Sequence, residues 1–440
     1  MTINEIYESV KEYIWQLERN KEKYLINPEK DFTRHRKISF SDRVMSLLCM
    51  SGGTLFSEVL EYFSDKTDLP SVSAYLQQRA KIKYSAFEQL FRSTVNLSDE
   101  NHLYHGYRLF AADGSDIQIP SNPMDEDTYY PGSNGQKPYN LIHLNAIYDI
   151  ITNTYQDVLI QGSRHCAEHE ALNHMVDCSC VNKALIIADR GYESYNVMAH
   201  IKEKGWKYLI RVKDIGGNGI VSRLDLPSSD EFDIDIDLNI TRKNSKKMMQ
   251  LFEDRNHYRY APPNSKLDFL PSRSNYKEDA VFYRLPFRVV RFKITENQYE
   301  TIVTNLDKYE FAPAELKRLY AMRWGIETSF RTLKYNIGVI YFHSWKKELV
   351  MQEVFARLAL FNITASIAGE PLKHISKKNY SYKVNVAKVI LICRKLFLDR
   401  ISPHYAQRLI STSVVPIRNE RSFKRKTKPR IAINFIYRIA

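Results

Sequence analysis

The chain has 440 residues, of which 44% are hydrophobic and 26% charged, as in an ordinary globular protein of about two to four domains. No apolar run is long enough to cross a bilayer, the N-terminal residues lack the pattern of a secretory signal, and five cysteines do not indicate a disulfide framework. With 64 Lys plus Arg against 51 Asp plus Glu, the net charge is +13, which favours a polyanionic partner but is also compatible with a merely basic protein.

The N-terminal region, residues 1–105, is predicted to be helical. Apolar residues recur there at helical spacing, as in Val44, Leu47 and Leu48. We therefore expect an N-terminal helical domain.

The pattern changes to alternating strands and helices near residue 107. The predicted strands are 107–112, 142–150, 155–160, 184–188 and 207–212, and the predicted helices are 166–178 and 194–204. The run 184–188 is wholly apolar, which is typical of a strand buried on both faces. This order predicts an α/β fold with a mixed sheet covered by helices.

The second half of the chain begins with a β-rich segment, residues 214–306. Within it, residues 232–240 alternate between apolar and polar, the period of a strand. A helix is predicted over 313–335, starting at Pro313, a favourable first-turn residue. The C-terminal segment 371–440 carries a basic cluster between Arg418 and Arg430, which suits phosphate contacts or a solubilising tail.

Two aspartates follow predicted strands. Asp113 comes after the strand 107–112 and Asp189 after the strand 184–188, and each is followed within two residues by glycine. In α/β sheets, ligands collect beyond the carboxyl ends of strands, so the two carboxylates could converge on one hard cation such as Mg²⁺. An Asp beside a Gly can equally form a turn, and each position alone favours that interpretation.

One face of the predicted helix 313–335 is polar and charged. Tyr320, Arg323, Glu327, Arg331 and Lys334 share it by their helical spacing. An ordinary solvated face with an Arg323–Glu327 ion pair is one interpretation. A carboxylate directed at metal, flanked by cations directed at phosphates, is the other.

The spacing of Tyr320, Arg323, Glu327 and Lys334 resembles the Y-R-E-K signature of DDE transposases of the insertion-sequence-four family. The words around Asp113 (Ala-Asp-Gly-Ser) and Asp189 (Ala-Asp-Arg-Gly-Tyr) resemble that family's two Asp motifs. The resemblance covers roughly residues 35–435 and is strongest at these three motifs. Gly325 departs from the family pattern, and a Gly inside a helix costs about 1 kcal/mol relative to Ala.

This resemblance implies a ribonuclease-H-like catalytic core formed by residues 106–213 and 307–370, interrupted by the β-rich insertion 214–306. It also implies a DNA-end-binding role for residues 1–105. The expected activity is cleavage at transposon ends and strand transfer into target DNA. Two Mg²⁺ or Mn²⁺ ions would be held by Asp113, Asp189 and Glu327.

The resemblance further implies that the partner is double-stranded DNA. Cations and one tyrosine would contact it: Tyr320, Arg323, Lys334, Arg331 and Arg190. We expect a homodimer on DNA and a cytoplasmic, nucleoid-associated location. The alternatives are a domesticated, non-catalytic DNA-binding protein, a structure-specific nuclease with the same core, and a metal-dependent hydrolase of small molecules.

Overall fold

A computed structural model describes residues 1–34, 38–64, 69–97, 102–132, 137–273, 279–296, 298–369 and 382–417. The basic cluster between Arg418 and Arg430 lies outside these described residues.

The N-terminal part of the structure is helical. Its helices are α1 (Ile3–Arg19), α2 (Phe40–Cys49), α3 (Leu55–Phe63), α4 (Val72–Arg79) and α5 (Ser85–Thr94). The first four begin at a Ser or Thr whose side chain accepts a hydrogen bond from a backbone N–H of the first turn: Thr2, Ser39, Thr54 and Ser71. These caps satisfy backbone donors that a helix start leaves unpaired.

The centre of the chain supplies the strands and three helices. They are β1 (Arg108–Ile119), β2 (Tyr129–Tyr130), β3 (Tyr139–Asp149), β4 (Thr154–Gly162), α6 (Glu168–Cys178), β5 (Ala184–Ala188), α7 (Tyr195–Glu203), β6 (Lys207–Val212), β7 (Phe232–Thr241), α8 (Lys246–Leu251), β8 (Tyr258–Tyr260), β9 (Tyr283–Thr295) and β10 (Gln298–Thr304). In the described part of the chain, these strands form one ten-stranded sheet in the order β2-β3-β1-β5-β6-β10-β9-β7-β8, with β4 also on β3.

The sheet is mixed, as the sequence predicts. β1, β5 and β6 are parallel to one another, whereas β3, β4 and β10 join antiparallel. The β-rich segment is continuous with this sheet because β10 pairs with β6. β5 is buried along its whole length, so the prediction of a strand covered on both faces is confirmed.

The C-terminal part of the structure returns to helices. They are α9 (Pro313–Met322), α10 (Trp324–Arg331), a π-helical turn (Thr332–Ile337), α11 (Lys347–Gly369), α12 (Val386–Phe397) and α13 (Pro403–Thr412), with a small pair of strands β11 (Tyr382–Val384) and β12 (Val414–Pro416). None of the helices in the described ranges combines the length and the hydrophobicity that crossing a membrane requires.

Helices cover both faces of the sheet. On one face, β1, β3 and β4 share a hydrophobic core with the N-terminal helices and with α11 and α12. On the other, β1, β5 and β6 pack against α6 and α7. A third cluster joins Leu109, Leu185 and Ile187 to Leu316 and Leu319 of α9. The core thus fixes the helix pair α9–α10 against the central strands.

A buried ionic cluster ties the N-terminal helices to α11. Arg79, only 1% exposed, donates hydrogen bonds to Glu353 over 2.9 Å and to Gln352 over 2.8 Å. Glu353 also accepts hydrogen bonds from the backbone and ring of His343. The partners are about 270 positions apart in sequence, so this contact joins α4 near the N-terminus to α11 near the C-terminus.

Candidate active site

Asp113 and Asp189 lie side by side at the end of a parallel strand pair. Ala112 of β1 is the register partner of Ala188 of β5, and the two aspartates are the next residues on each strand. β5 ends there, but β1 continues to Ile119 because it stays paired with β3. The prediction that Asp113 ends its strand is therefore wrong, although the parallel pairing does end at that position.

The Asp113 carboxylate is in a half-buried, electrostatically crowded place. Its side chain is 22% exposed, its Oδ1 accepts a 2.9 Å hydrogen bond from the Gly114 N–H, and its Oδ2 lies 3.8 Å from Arg323 Nη1. Burial raises the pKa of Asp113 to about 6, and the negative charges of Asp189 and Glu327 also raise it. The Gly114 N–H and the Arg323 guanidinium lower the pKa and so oppose this effect. The three predicted carboxylates are thus close enough to influence one another.

Asp189 has a structural task as well. Its Oδ1 accepts a 2.7 Å hydrogen bond from the Gly191 N–H and so caps the short turn Arg190–Tyr192. The turn interpretation of this aspartate is correct, and it does not exclude a role at the site, because a carboxylate has further lone pairs to offer.

Glu327 is joined to Asp113 through an arginine. Arg323 Nη2 donates a 2.7 Å hydrogen bond to Glu327 Oε1 while Nη1 faces Asp113. The Arg323 side chain is 11% exposed and that of Glu327 is 32% exposed. The guanidinium therefore lies between two of the three carboxylates, shielded from water, where it partly neutralises their charge.

The helix that carries these residues is not continuous, contrary to the prediction of one helix over 313–335. At Arg323 the backbone tightens: the Arg323 N–H bonds to the Tyr320 carbonyl and the Ile326 N–H to the Arg323 carbonyl, each three residues apart. After Arg331 the chain widens into the π-helical turn. These two irregularities change the directions in which the side chains of this segment point, compared with a straight helix. Tightened and π-helical turns inside helices are frequent at functional sites.

The remaining predicted side chains take different positions. Lys334 donates a 2.7 Å hydrogen bond to the Ser115 hydroxyl, which places it beside the first Asp motif. Tyr320 is 8% exposed and packs in the core, with its ring 5.7 Å from the Arg323 guanidinium. Arg331 and Arg190 are exposed. The structure thus gathers Lys334 and Arg323 at the carboxylates, with Tyr320 behind Arg323.

The donor set can be tested against the predicted metal ions. Carboxylate oxygens are the ligands that Mg²⁺ and Mn²⁺ prefer. The guanidinium between Asp113 and Glu327 shows that a positive charge is stabilised at this place. Across the described ranges, however, no group of three or more His, Cys, Asp or Glu side chains is arranged to hold a metal ion. The chemistry of the residues fits metal ions, whereas their spacing here accommodates Arg323.

A histidine bridge beside the site was not predicted from the sequence. His143 of β3 lies with Nδ1 2.8 Å from Asp116 and Nε2 3.1 Å from Glu168 at the start of α6. Burial lowers the pKa of His143, but the two carboxylates outweigh it and raise the pKa to about 9. A Cβ placed on Gly114 would lie 2.3 Å from His143 Nε2 and 3.0 Å from Glu168, so this bridge packs directly against β1 beside Asp113.

The signal for this bridge is cross-strand register. Asp116 and His143 are partners in the β1–β3 ladder, which sequence patterning does not specify. Asp116 also accepts a hydrogen bond from the Ser163 hydroxyl, so its carboxylate is held within the fold.

The structure thus brings aspartates of two neighbouring parallel strands and a glutamate of a helix together on one mixed sheet. The transposase DDE domain family matches residues 104–363, and the chain belongs to that family; it is a transposase. The narrower assignment to the insertion-sequence-four family stays a prediction. No curated protein matches the chain.

Among solved structures, the chain is similar to piggyBac transposase in a synaptic complex with hairpin DNA. The identity is 9% and the TM-score 0.44, over 97% of this chain and 87% of that chain. A likeness this distant does not bear on residue roles.

Proposed function

We propose that this transposase cuts DNA at the ends of an insertion sequence and joins the freed 3′ ends to target DNA. The observation that carries the proposal is the juxtaposition of Asp113, Arg323 and Glu327 beside the strand that leads into Asp189. A domesticated, non-catalytic copy would have no need to keep three acidic groups so close together.

Asp113, Asp189 and Glu327 are the residues that would hold two Mg²⁺ or Mn²⁺ ions. Such ions, when bound, activate the attacking oxygen and stabilise the leaving oxygen of an in-line displacement. Burial is the largest cause of the raised pKa of Asp113, and a bound cation would favour the ionised form of this carboxyl group.

The cations around the cluster have separate tasks. Arg323 presents a planar fork of donors that suits a phosphate, and Tyr320 packs behind it and limits its freedom. Lys334 adds a point charge next to Ser115. Arg190 and Arg331 are exposed and would contact the DNA backbone farther out. Together these side chains would hold the cleaved strand against the carboxylates.

The architecture supports an arrangement of one ribonuclease-H-like core with an inserted segment. The core would comprise 106–213 and 307–370, with the insertion 214–306 extending the same sheet through β10. Residues 1–105 would bind the transposon end, and 371–440 would supply further basic contacts. Because two ends must be processed together, the active form would be a homodimer on DNA.

A nicking assay tests the role of the carboxylates. Glu327→Gln and Asp113→Asn should lower Mg²⁺-dependent nicking of duplex DNA carrying the element's end sequence by at least about 100-fold, because each removes a metal ligand. Glu310→Gln is the matched control, since Glu310 is exposed and lies before α9. DNA binding by all three variants should be retained. Undiminished nicking by Glu327→Gln would remove Glu327 from the metal site.

A further inference from the structure

A cavity of about 720 Å³ lies among the N-terminal helices, away from the carboxylates. It is bounded by the end of α1, the loop that follows, the start of α2 and one side of α4. Residues 35–37 are outside the described chain. We refer to it as the N-terminal pocket.

The N-terminal pocket is strongly basic. Among the described residues, its lining contains Lys21, Lys30, Arg34, Arg43 and Lys81 but a single acidic residue, Glu18. Lys81 is paired with Asp31 at 3.4 Å, so even with Asp31 counted the basic groups of the described lining exceed the acidic ones by three. Ser39 and Phe40 at the start of α2 also line it, and a helix start attracts anions.

Arg43 is the residue that points to a ligand. Its side chain is 4% exposed, and among the described residues neither Nε nor Nη1 has a hydrogen-bond partner. Its guanidinium rests on the Tyr75 ring at 4.8 Å, and burial lowers the pKa of Arg43. A buried charge without a hydrogen-bonded counter-charge is costly, so an anion in the pocket would relieve it.

The carboxylates near Arg43 are already engaged. Asp42 accepts hydrogen bonds from the backbone and hydroxyl of Ser39 and acts on Arg43 only through space. Glu18 accepts a hydrogen bond from the hydroxyl of Ser41, and Asp31 accepts one from the Asn27 N–H while pairing with Lys81. None of these carboxylates accepts a hydrogen bond from Nε or Nη1 of Arg43, and the described lining of the pocket remains net positive.

We propose that the N-terminal pocket binds a phosphate group of the DNA backbone, held by Arg43 with Lys21 and Arg34. This inference rests on the proposed function in one respect only, that the anion belongs to DNA. Phosphate contacts of this kind position a protein on a duplex without reading its sequence. The pocket would thus anchor DNA at a distance from the site of cleavage.

The first measurement is thermal unfolding of the full-length protein in inorganic phosphate against chloride at equal ionic strength. Phosphate should raise the Tm of the wild type. The increase should fall by at least about half in Arg43→Met, Lys21→Ala and Arg34→Ala. The Lys21 and Arg34 variants carry the test if Arg43→Met does not fold. Lys23→Ala is the matched control, because Lys23 lies on the same turn as Lys21, is exposed and does not line the pocket.

The second measurement is the salt dependence of binding to a mixed-sequence duplex of about 30 base pairs, expressed as the slope of log K against log salt. Lys21→Ala should reduce the magnitude of this slope by about 1, while Lys23→Ala leaves it unchanged. A phosphate effect on Tm equal in all variants would overturn the pocket as an anion site. A lost phosphate effect with an unchanged slope would assign it to free phosphate and overturn the DNA assignment. Glu327→Gln separates the two proposals, because it should lower nicking by at least about 100-fold without changing the slope.

Discussion

Arg323 donates a 2.7 Å hydrogen bond to Glu327 and at the same time lies 3.8 Å from Asp113. The sequence allowed two interpretations of this helix face, a surface ion pair or a carboxylate directed at a metal site. The ion pair exists, but the side chains of Arg323 and Glu327 are only 11% and 32% exposed. Arg323 also faces the Asp113 carboxylate of the central sheet, so the structure combines features of both interpretations. In the protein without bound DNA or metal, Arg323 therefore acts as the counter-charge of the Asp113 and Glu327 carboxylates.

The first prediction concerns competition between Arg323 and metal. Arg323→Ala should tighten Mn²⁺ binding to the DNA-free protein by about tenfold, because it removes a positive charge next to the ligands. The free Mn²⁺ signal in electron paramagnetic resonance measures the Kd. Arg331→Ala, an exposed position at the end of α10, should leave the Kd unchanged. Equal Kd values for wild type and Arg323→Ala would show that the arginine does not compete with the cation.

The second prediction concerns the buried ionic cluster between α4 and α11. Arg79→Met should lower the free energy of unfolding by about 3–5 kcal/mol, because Glu353 would be left buried without its partner. Burial opposes ionisation of Glu353, yet Arg79 and His343 hold its pKa at about 2. Urea unfolding of the full chain provides the measurement.

The control for Arg79 is an exposed pair. Lys395 and Glu61 lie 2.6 Å apart with side chains 42% and 45% exposed. Lys395→Ala should therefore change the free energy of unfolding by less than about 1 kcal/mol. A similarly small effect of Arg79→Met would mean that the buried cluster does not hold the N-terminal helices to α11.

The parts of the fold that the sequence predicted depend on local patterns, whereas the parts that it did not predict depend on contacts between distant segments. The apolar run of β5 and the periodicity of the helices are local, and they led to the mixed sheet and to the position of Asp189. The length of β1 depends on its pairing with β3, and the bridge from His143 to Glu168 depends on register. Such properties arise only when distant segments meet.

The same distinction applies to the candidate site. Glu327 was predicted to be a metal ligand from a family resemblance that depends on its spacing with Tyr320 and Lys334, which is a local pattern. The tightened turn at Arg323 and the contact of Lys334 with Ser115 result from packing of α9 and α10 on the sheet, which no local pattern encodes. The N-terminal pocket likewise joins loops and helices whose basic residues are scattered along the first 81 positions.

The third prediction concerns pH and His143. Its pKa is raised from an ordinary value near 6.5 to about 9 in the folded protein, so the bridge to Asp116 and Glu168 is fully stabilising below about pH 6.5 and is lost as pH rises through about 9. The shift corresponds to at most about 3 kcal/mol, and screening at the half-exposed carboxylates reduces it to about 1–2 kcal/mol.

Unfolding measured at about pH 6.5 and about pH 9.5 tests this linkage. The difference in the free energy of unfolding between wild type and His143→Gln should shrink by about 1–2 kcal/mol over this interval. Taking the difference cancels groups that titrate equally in both proteins. A difference that does not change with pH would show that the pKa of His143 is not raised in the folded state.

The fourth prediction compares two glycines of the site. Gly114→Ala should destabilise the fold by about 1–3 kcal/mol and abolish nicking, because the new Cβ would lie 2.3 Å from a His143 ring held between two carboxylates. At Gly325, which departs from the family pattern, the Cβ of an alanine would lie 3.8 Å from its nearest neighbours, Ile150 and Tyr148, an ordinary contact distance. Gly325→Ala should therefore stabilise the protein by about 0.5–1 kcal/mol, since alanine favours the helix.

Urea unfolding and the nicking assay measured on both variants distinguish steric from helical effects. Gly325→Ala should keep its nicking activity, because the added methyl group points at Ile150 and Tyr148 and not at Glu327. If Gly325→Ala were as inactive as Gly114→Ala, the glycine would be required for access of DNA to the carboxylates. If Gly114→Ala were stable and active, the bridge of His143 and Glu168 would have to move without consequence, and its contact with β1 beside Asp113 would have no role in catalysis.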